Sequence, residues 1–312
     1  MAEVYVIVLN WNGSSDTIEC IETLLRQKDV SLRCIVVDNG SQDDSVERIR
    51  ARYPELDLIQ TQKNLGYSGG MNTGIRYALE RGARYILLLN NDTLADENMV
   101  CQLLKQIQDG ADIAAPAIFY AEAPERLWSI GGKIDPLFLE LLTPHGGSIP
   151  IPPGPIERDF VTGCAMLVQR SVFEQVGVFD EVFYPGYYED LDFCLRVRRQ
   201  GLTIQMTPQA RLLHKISQSS GGKSSPKVAY LMGRNSGLYF RKHARFWQLP
   251  FVLGFRLLSA IKRSVLLVVQ RDGKSLSAYW TGLANGWLGL FQKSSEKYLS
   301  FYSPRSGKSE YV

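Results

Sequence analysis

The feature that most constrains this chain is a repeated switch of hydrophobic period. Four short apolar runs, Val4–Leu9, Leu32–Val37, Leu56–Gln60 and Tyr85–Leu89, are rich in Val, Ile and Leu and stop at polar or turn-forming residues. Runs of that length and composition read as strands buried on both faces, the form that parallel sheets take. Between them, Ser14–Gln27, Asp43–Arg52 and Gly70–Arg81 show helical spacing and soluble faces, with Ser14, Ser15, Asp16 and Ser41 as amino-terminal caps. A helix over Asp96–Asp109 and a strand over Ile113–Phe119 continue the alternation. The pattern predicts an α/β domain whose ligands gather outside the carboxyl ends of the strands.

Ala121–Asp159 breaks the pattern. Gly131-Gly132, His145-Gly146-Gly147 and the Pro-rich run from Ile149 to Pro155 exclude continuous helix or central strand, so a hairpin plus an exposed loop is expected. A strand at Phe160–Val168, a short helix at Ser171–Gln175, a loop through Pro185-Gly186, a helix around Leu191–Gln200 and a strand at Thr203–Met206 follow. No internal repeat is present, which disfavours a solenoid.

At 312 residues the chain exceeds the ~100–200 usual for one domain. Its 45% hydrophobic and 21% charged content exclude collagen and wholesale disorder. A net charge of +3 is too small to argue for nucleic acid, and none is expected as a partner. That average conceals an asymmetry: Pro226–Val312 holds 14 Lys/Arg against 3 Asp/Glu. Five cysteines without CxxC spacing read as reduced, small hydrophobic residues of a cytoplasmic protein. The amino terminus lacks the basic region of a signal peptide, and no uncharged apolar stretch reaches the ~18 residues of a spanning helix.

Four polar clusters stand where the strands end: Asn10-Trp11-Asn12, Asp38-Asn39-Gly40-Ser41, Asn64-Leu65-Gly66-Tyr67 and Asn90-Asn91-Asp92. In a parallel sheet these converge on one crevice. There one carboxylate could accept hydrogen bonds from a base or ribose while another holds a divalent cation against phosphates; the bland alternative is that they cap the next helices. Gly66–Asn72 lacks the dinucleotide fingerprint spacing, yet its glycines would let backbone amides approach phosphate or sugar oxygens, unless they form a plain tight turn. Neither a Walker motif nor a Gly-x-Ser-x-Gly elbow occurs.

The acidic segment Tyr188-Glu189-Asp190-Leu191-Asp192 is the candidate reaction centre. Carboxylates at a helix start are stabilised and can be held beside a substrate hydroxyl, or can simply cap the helix. Asp192 lies four residues before Arg196, the spacing of a structural ion pair. His214 follows a strand-like stretch and could offer an imidazole nitrogen to a metal, or be an ordinary packed histidine. His145 and His243 have weaker settings.

Taken together, Val8-Leu-Asn-Trp-Asn12, Val37-Asp-Asn-Gly-Ser41, Asn64-Leu-Gly-Tyr-Ser-Gly-Gly-Met-Asn72, Leu88-Leu-Asn-Asn-Asp-Thr93 and Tyr188-Glu-Asp-Leu-Asp-Phe-Cys-Leu-Arg196 resemble the family 2 inverting glycosyltransferases of GT-A fold, especially bacterial rhamnosyltransferases. The resemblance covers about residues 4–240. It implies a Rossmann-like nucleotide-binding sheet continuous with an acceptor-binding region: 1–120 as the nucleotide-sugar half, 121–225 as the acceptor and catalytic half, and 226–312 as a basic helical extension. It further implies a nucleoside-diphosphate sugar donor, dTDP-, UDP- or GDP-linked and favouring dTDP-L-rhamnose, and a cell-surface glycan or lipid-linked acceptor.

By the same resemblance Asp38 would hold the base or ribose with help from Asn10 and Asn12. Asn64, Gly69, Gly70, Asn72 and Asn91 would line the donor. Asp92 would be the last carboxylate of the family's Asp-X-Asp metal motif, with Asn90 in place of the first Asp and His214 as a further ligand for Mg²⁺ or Mn²⁺. Asp190 would be the base, and Glu189 would position either the acceptor or Asp190.

In the extension, Phe246–Phe255 and Val265–Val269 are strongly apolar but divided by Arg256, Lys262 and Arg263. A helix lying on the inner face of the cell membrane and a helix packed on the protein both fit that pattern. A noncatalytic nucleotide-sugar or glycan-binding protein and a nucleotidyltransferase are the competing functional readings.

Overall fold

The computed structural model describes residues 3–142, 151, 153–216 and 225–289. His145 and part of the Pro-rich run lie outside them. The chain runs β1 (Glu3–Asn10), α1 (Ser14–Leu24), β2 (Ser31–Asp38), α2 (Ser45–Arg52), β3 (Asp57–Gln60), α3 (Gly66–Glu80), β4 (Tyr85–Asn90), β5 (Thr93–Ala95), α4 (Met99–Gln108) and β6 (Ile113–Tyr120). It continues through β7 (Ala123–Ser129), β8 (Lys133–Ile134), β9 (Leu141–Leu142), β10 (Ile156–Arg158), β11 (Ala165–Gln169), α5 (Arg170–Val176), α6 (Glu189–Arg199) and β12 (Ile204–His214). Helices α7 (Pro226–His243), α8 (Leu249–Val269) and α9 (Gly273–Leu288) complete it.

Two compact units result: 1–133, 142–184 and 189–216 form the first; 134–141, 185–188 and 217–312 form the second. In the first, one sheet has the order β10-β12-β6-β11-β4-β1-β2-β3. Strands β3, β2, β1 and β4 are parallel, as the apolar runs predict. Beyond β4 the sheet is mixed, because β11 enters antiparallel to both β4 and β6. The expected strand at 160–168 begins only at Ala165: Phe160 is taken up in a bridge to Gly132, and a turn at Gly163-Cys164 precedes the strand.

The sheet is covered on both faces, so Val4, Val6 and Val8 are buried on one side and Tyr5 and Ile7 on the other. Helix α1 turns Thr17, Cys20, Ile21 and Leu24 inward, at the spacing that places them on one face. Each large aliphatic residue so buried contributes about 1.5–3 kcal/mol. The glycine segment, expected to precede its helix, lies inside it, since α3 starts at Gly66. A Cβ at Gly70 would stand 2.4 Å from Leu9 Cδ1, and one at Gly74 2.5 Å from Ile7 Cγ2. These two glycines let α3 settle onto β1.

The second unit is built on another close approach. A Cβ at Gly282 or Gly286 would meet the carbonyl oxygen of Tyr230 or Arg234 at 2.1 Å, and one at Gly233 the Tyr279 oxygen at 2.4 Å. Helices α7 and α9 therefore pack backbone to backbone. Asn235 Nδ2 donates to the carbonyls of Gly186 and Tyr187 at 2.8 and 2.9 Å. Tyr187 and Tyr188 sit there at φ 74° and 75°, a left-handed pair costing on the order of 1–2 kcal/mol each.

Candidate active site

The ends of β1, β2 and β4 are joined by one continuous hydrogen-bond network. Asn91 Nδ2 donates to Thr17 Oγ1 at 3.0 Å, Thr17 Oγ1 to Asn10 Oδ1 at 2.7 Å, and Asn10 Nδ2 to Asp38 Oδ1 at 2.8 Å. The Ser41 hydroxyl and amide complete the hold on Asp38. Asn12, at φ 51°, donates its amide to Ser41 Oγ and accepts from the Gln42 amide. Asp38 is buried, and three of the roughly four acceptor positions of its carboxylate are filled. A donor N–H or O–H from a ligand matches the fourth.

The third cluster closes on itself. Asn64 Oδ1 accepts from the Gly66 amide at 2.7 Å and from Asn39 Nδ2 at 3.2 Å, which fixes the start of α3. Asn72 points elsewhere: its amide donates to Phe179 O and Glu181 Oε1, both at 2.9 Å, and its oxygen accepts from the Phe179 amide. Gly69 and Gly70 are buried in the same helix. Asn64, Gly69, Gly70 and Asn72 are thus brought near the strand ends as one rigid element, with the Asn72 side chain turned to the 179–181 loop.

The second half of the site gathers around Gly163-Cys164. The Gly163 amide donates to Asp190 Oδ2 at 3.0 Å, and the Leu191 amide to Asp190 Oδ1 at 2.8 Å. One residue on, Cys164 O accepts the Asn90 amide at 2.9 Å, at the strand end that leads to Asp92. Tyr67 donates its hydroxyl to Gly163 O. Burial pushes the Tyr67 phenol well above its ordinary range, and the charges of Glu189, Asp190 and Asp92 push it further. The two carboxylate regions, almost a hundred residues apart in sequence, therefore share a neighbourhood.

Their protonation is set by desolvation. Glu189 is buried, its Oε2 has no hydrogen-bond partner, and burial followed by the neighbouring Asp190 charge raises its pKa well above the carboxylate range. Burial also raises Asp190, opposed by the Gly163 and Leu191 amides. Asp192 has the structural role its spacing suggests, because Arg196 Nε donates to it at 2.8 Å while the same guanidinium holds Val178 O.

Asp92 and His214 meet at the end of β12, with Nε2 to Oδ1 at 3.2 Å, both largely buried. His214 stacks edge-on to Trp128 with ring centroids 4.5 Å apart, and its buried Nδ1 lacks a partner. Among the described residues no group of three His, Cys, Asp or Glu side chains converges as a metal cage. The donors brought together here are an imidazole and a carboxylate. That suits a cation whose remaining ligands come from diphosphate oxygens. Cys20, Cys164 and Cys194 are free thiols raised by burial, so they are inert packing groups.

Thr17 and Gly163 are the residues that sequence reasoning passed over, while Ser41 and Tyr67 stood in its polar clusters without a role of their own. Tyr67 lay within a quoted motif, but its glycines drew attention. Gly163 had one signal, a small residue interrupting an apolar run.

A sequence profile described as "Glycosyl transferase family 2" matches residues 5–177, more than half of the chain. The chain belongs to glycosyl transferase family 2. It is 29% identical over 245 residues to the low-salt glycan biosynthesis hexosyltransferase Agl10 of Haloferax volcanii, covering 75% of this chain and 74% of that one. It is 23% identical over 281 residues to the dTDP-rhamnosyl transferase RfbF of Shigella flexneri, covering 87% and 90%. To the N-acetylglucosaminyl-diphospho-decaprenol L-rhamnosyltransferase of Mycobacterium tuberculosis it is 25% identical over 256 residues, covering 73% and 80%. In solved structures, the mannosyltransferase PcManGT of Pyrobaculum calidifontis, in complex with GDP-Man and Mn²⁺, superposes with a TM-score of 0.56 at 15% identity over 91% of this chain and 86% of that one. This family 2 glycosyltransferase thus has the GT-A fold.

Proposed function

We propose that this glycosyltransferase moves a sugar, with inversion, from a nucleoside-diphosphate donor to a hydroxyl of a cell-surface glycan or a lipid-linked acceptor. dTDP-L-rhamnose is the first candidate donor, since RfbF is a dTDP-rhamnosyl transferase by name; UDP- and GDP-linked sugars follow. The lipid-linked acceptor has support from the mycobacterial relative, whose name specifies a diphospho-decaprenol substrate. Residues 1–120 would serve the donor, 121–225 the acceptor and the chemistry, and 226–312 the attachment of the enzyme at the inner membrane face.

The observation that carries this reading is the tie from Asp190 through Gly163 and Cys164 to the strand end bearing Asn90 and Asp92. Asp190 is assigned as the base. As the acceptor oxygen bonds to the anomeric carbon, its proton passes to the Asp190 carboxylate, and the bond to the diphosphate breaks with its electron pair on the departing oxygen. A single displacement of that kind inverts configuration. A carboxylate of raised pKa is a better proton acceptor near neutral pH than an ordinary one. Glu189, buried behind it, positions Asp190.

Asp38 would accept from the base or ribose, held in place by Asn10, Asn12 and Ser41. Asn91 and Asn72 brace the elements around the donor, and Asn64, Gly69 and Gly70 set the course of α3 beside it. Asp92, His214 and Asn90 would hold Mg²⁺ or Mn²⁺. When bound, the cation neutralises charge developing on the leaving diphosphate.

The deciding experiment is mass-resolved turnover of dTDP-L-rhamnose, UDP-glucose, UDP-galactose, UDP-N-acetylglucosamine and GDP-mannose, with and without Mg²⁺ or Mn²⁺. Cation-dependent sugar release from one donor is expected. Tight donor binding without transfer or hydrolysis, across lipid-linked and oligosaccharide acceptors, would overturn the reading in favour of a noncatalytic binder.

A further inference from the structure

Helix α8 is amphipathic the wrong way round for a soluble protein. Its inward seam, Val252, Arg256, Ala260, Arg263 and Leu267, includes both of its arginines. Arg256 donates to Glu140 at 2.7 Å and to Ser236 at 3.1 Å and lies over the Phe240 ring; Arg263 lies over Tyr279. Both guanidiniums are thus engaged within their own unit. The opposite face carries Phe251, Leu258, Ile261, Val265, Val268 and Val269, each about half exposed or more, with Leu258 at 68% and Val269 at 74%. At 100° per residue these six fall on one side of the helix, about 31 Å long, and no charged residue interrupts them. An apolar face of that extent marks a docking surface, not ordinary exposure.

The surroundings identify what docks. Phe246, 90% exposed, and Trp247 sit ahead of the helix, and Trp280 stands exposed on α9. Lys262 flanks the apolar face, Arg245 precedes the helix, and Arg271 and Lys274 follow it, all exposed. Residues 225–289 contain ten Lys or Arg and one acidic residue, Asp272. A second copy of this surface would set like charge against like, which opposes self-association. No helix among the described residues is long and apolar enough to cross a membrane. We infer that α8 lies in the plane of an anionic lipid leaflet, its apolar face among the acyl chains and the flanking basic residues at the headgroups. The surface deepens the lipid-linked acceptor reading, and its test does not depend on turnover.

The test is flotation of the full chain with vesicles of phosphatidylcholine alone and of equal parts phosphatidylcholine and phosphatidylglycerol. Binding to the anionic vesicles, weakened by salt, is expected. A triple variant Leu258→Glu, Ile261→Glu, Val265→Glu should abolish it. A second variant, Lys262→Glu, Arg271→Glu, Lys274→Glu, should weaken it on the order of a hundredfold. All six positions are surface residues outside the catalytic machinery, so both variants should keep the parent's circular dichroism and donor turnover. Absence of anionic-vesicle binding by the parent, or equal binding by the folded triple variant, would overturn the inference. So would sedimentation showing a parent dimer that the first variant dissociates without any vesicle binding, which would give the face to a second copy. Vesicle binding by a protein that turns over no donor would leave the surface standing and remove only the enzymatic reading.

Discussion

The Gly163 amide and the Asp190 carboxylate, 27 residues apart, meet at 3.0 Å, and that bond ties the candidate base to the loop bordering β4. Asp190→Asn keeps one oxygen, for either the Gly163 or the Leu191 amide, and cannot accept a proton from the acceptor. Turnover should fall by about 10²–10⁴-fold with donor affinity little changed. Steady-state transfer and donor calorimetry check this together, and near-normal turnover would remove Asp190 from the base role.

Glu189 makes a prediction about stability and pH. Its pKa in the folded protein is raised above the unfolded value by burial and by Asp190. Such a group's contribution is fully present below the unfolded pKa of ~4.3 and is lost as pH rises toward the folded pKa. Glu189→Gln removes that loss. The variant's melting temperature should gain on the parent's between pH 5 and pH 8, with the larger advantage at pH 8. A constant difference across that range would show that the fold does not raise the Glu189 pKa.

Asn10 sits at the centre of the strand-end network, donating to Asp38 and accepting from Thr17. Asn10→Ala leaves two buried groups short of a partner, at a cost of about 1–3 kcal/mol each. Urea unfolding should show that loss, and KM for the donor should rise more than kcat falls because Asp38 is freed to turn. Unchanged KM would separate the network from donor binding.

Glycine substitutions in the second unit should have opposite signs. A Cβ at Gly282 meets the Tyr230 carbonyl at 2.1 Å, so Gly282→Ala must separate α7 from α9 and should destabilise by at least about 1–3 kcal/mol. Gly254 lies within α8 with nothing within 4 Å of its missing Cβ. Gly254→Ala should stabilise by about 0.5–1 kcal/mol through helix propensity. Thermal unfolding of both variants tests the packing, and equal effects would refute it.

Chelation should abolish transfer, and Mg²⁺ or Mn²⁺ should restore it. His214→Ala should raise the cation concentration for half-maximal activity by roughly tenfold or more, whereas Asn90→Asp should lower it by supplying a charged oxygen. Metal titration of activity distinguishes these outcomes; a His214→Ala titration that overlays the parent's would exclude the imidazole as a ligand.

Much of this site was legible before any tertiary contact was known. The β1, β2 and β4 runs announce themselves because a strand covered on both faces must be apolar throughout, and each stops where its backbone leaves the sheet. The polar residues after them fall at the strand ends for the same reason. The glycine segment was less transparent: Gly69 and Gly70 suggest a ligand loop, yet the need for space at Gly70 comes from Leu9 on another element. The start of β11 was also hidden, because Phe160 pairs with Gly132 instead of continuing the strand.

The sequence by itself determined the order of strands and helices, the α/β class and the family motifs, since periodicity and turn chemistry are local. Only the tertiary structure decided which distant residues meet: Asp190 with Gly163, His214 with Asp92, and Asn72 with the 179–181 loop instead of the strand-end network. It also decided which way α8 faces. Apolar residues lie on both sides of that helix, and the pattern alone permits either side to be inward. Glu140, 116 residues before Arg256, supplies the half-buried countercharge that draws the arginine in and leaves Leu258, Ile261 and Val265 outside. A buried charge must be paired, and the partner that settles the orientation comes from a remote part of the chain.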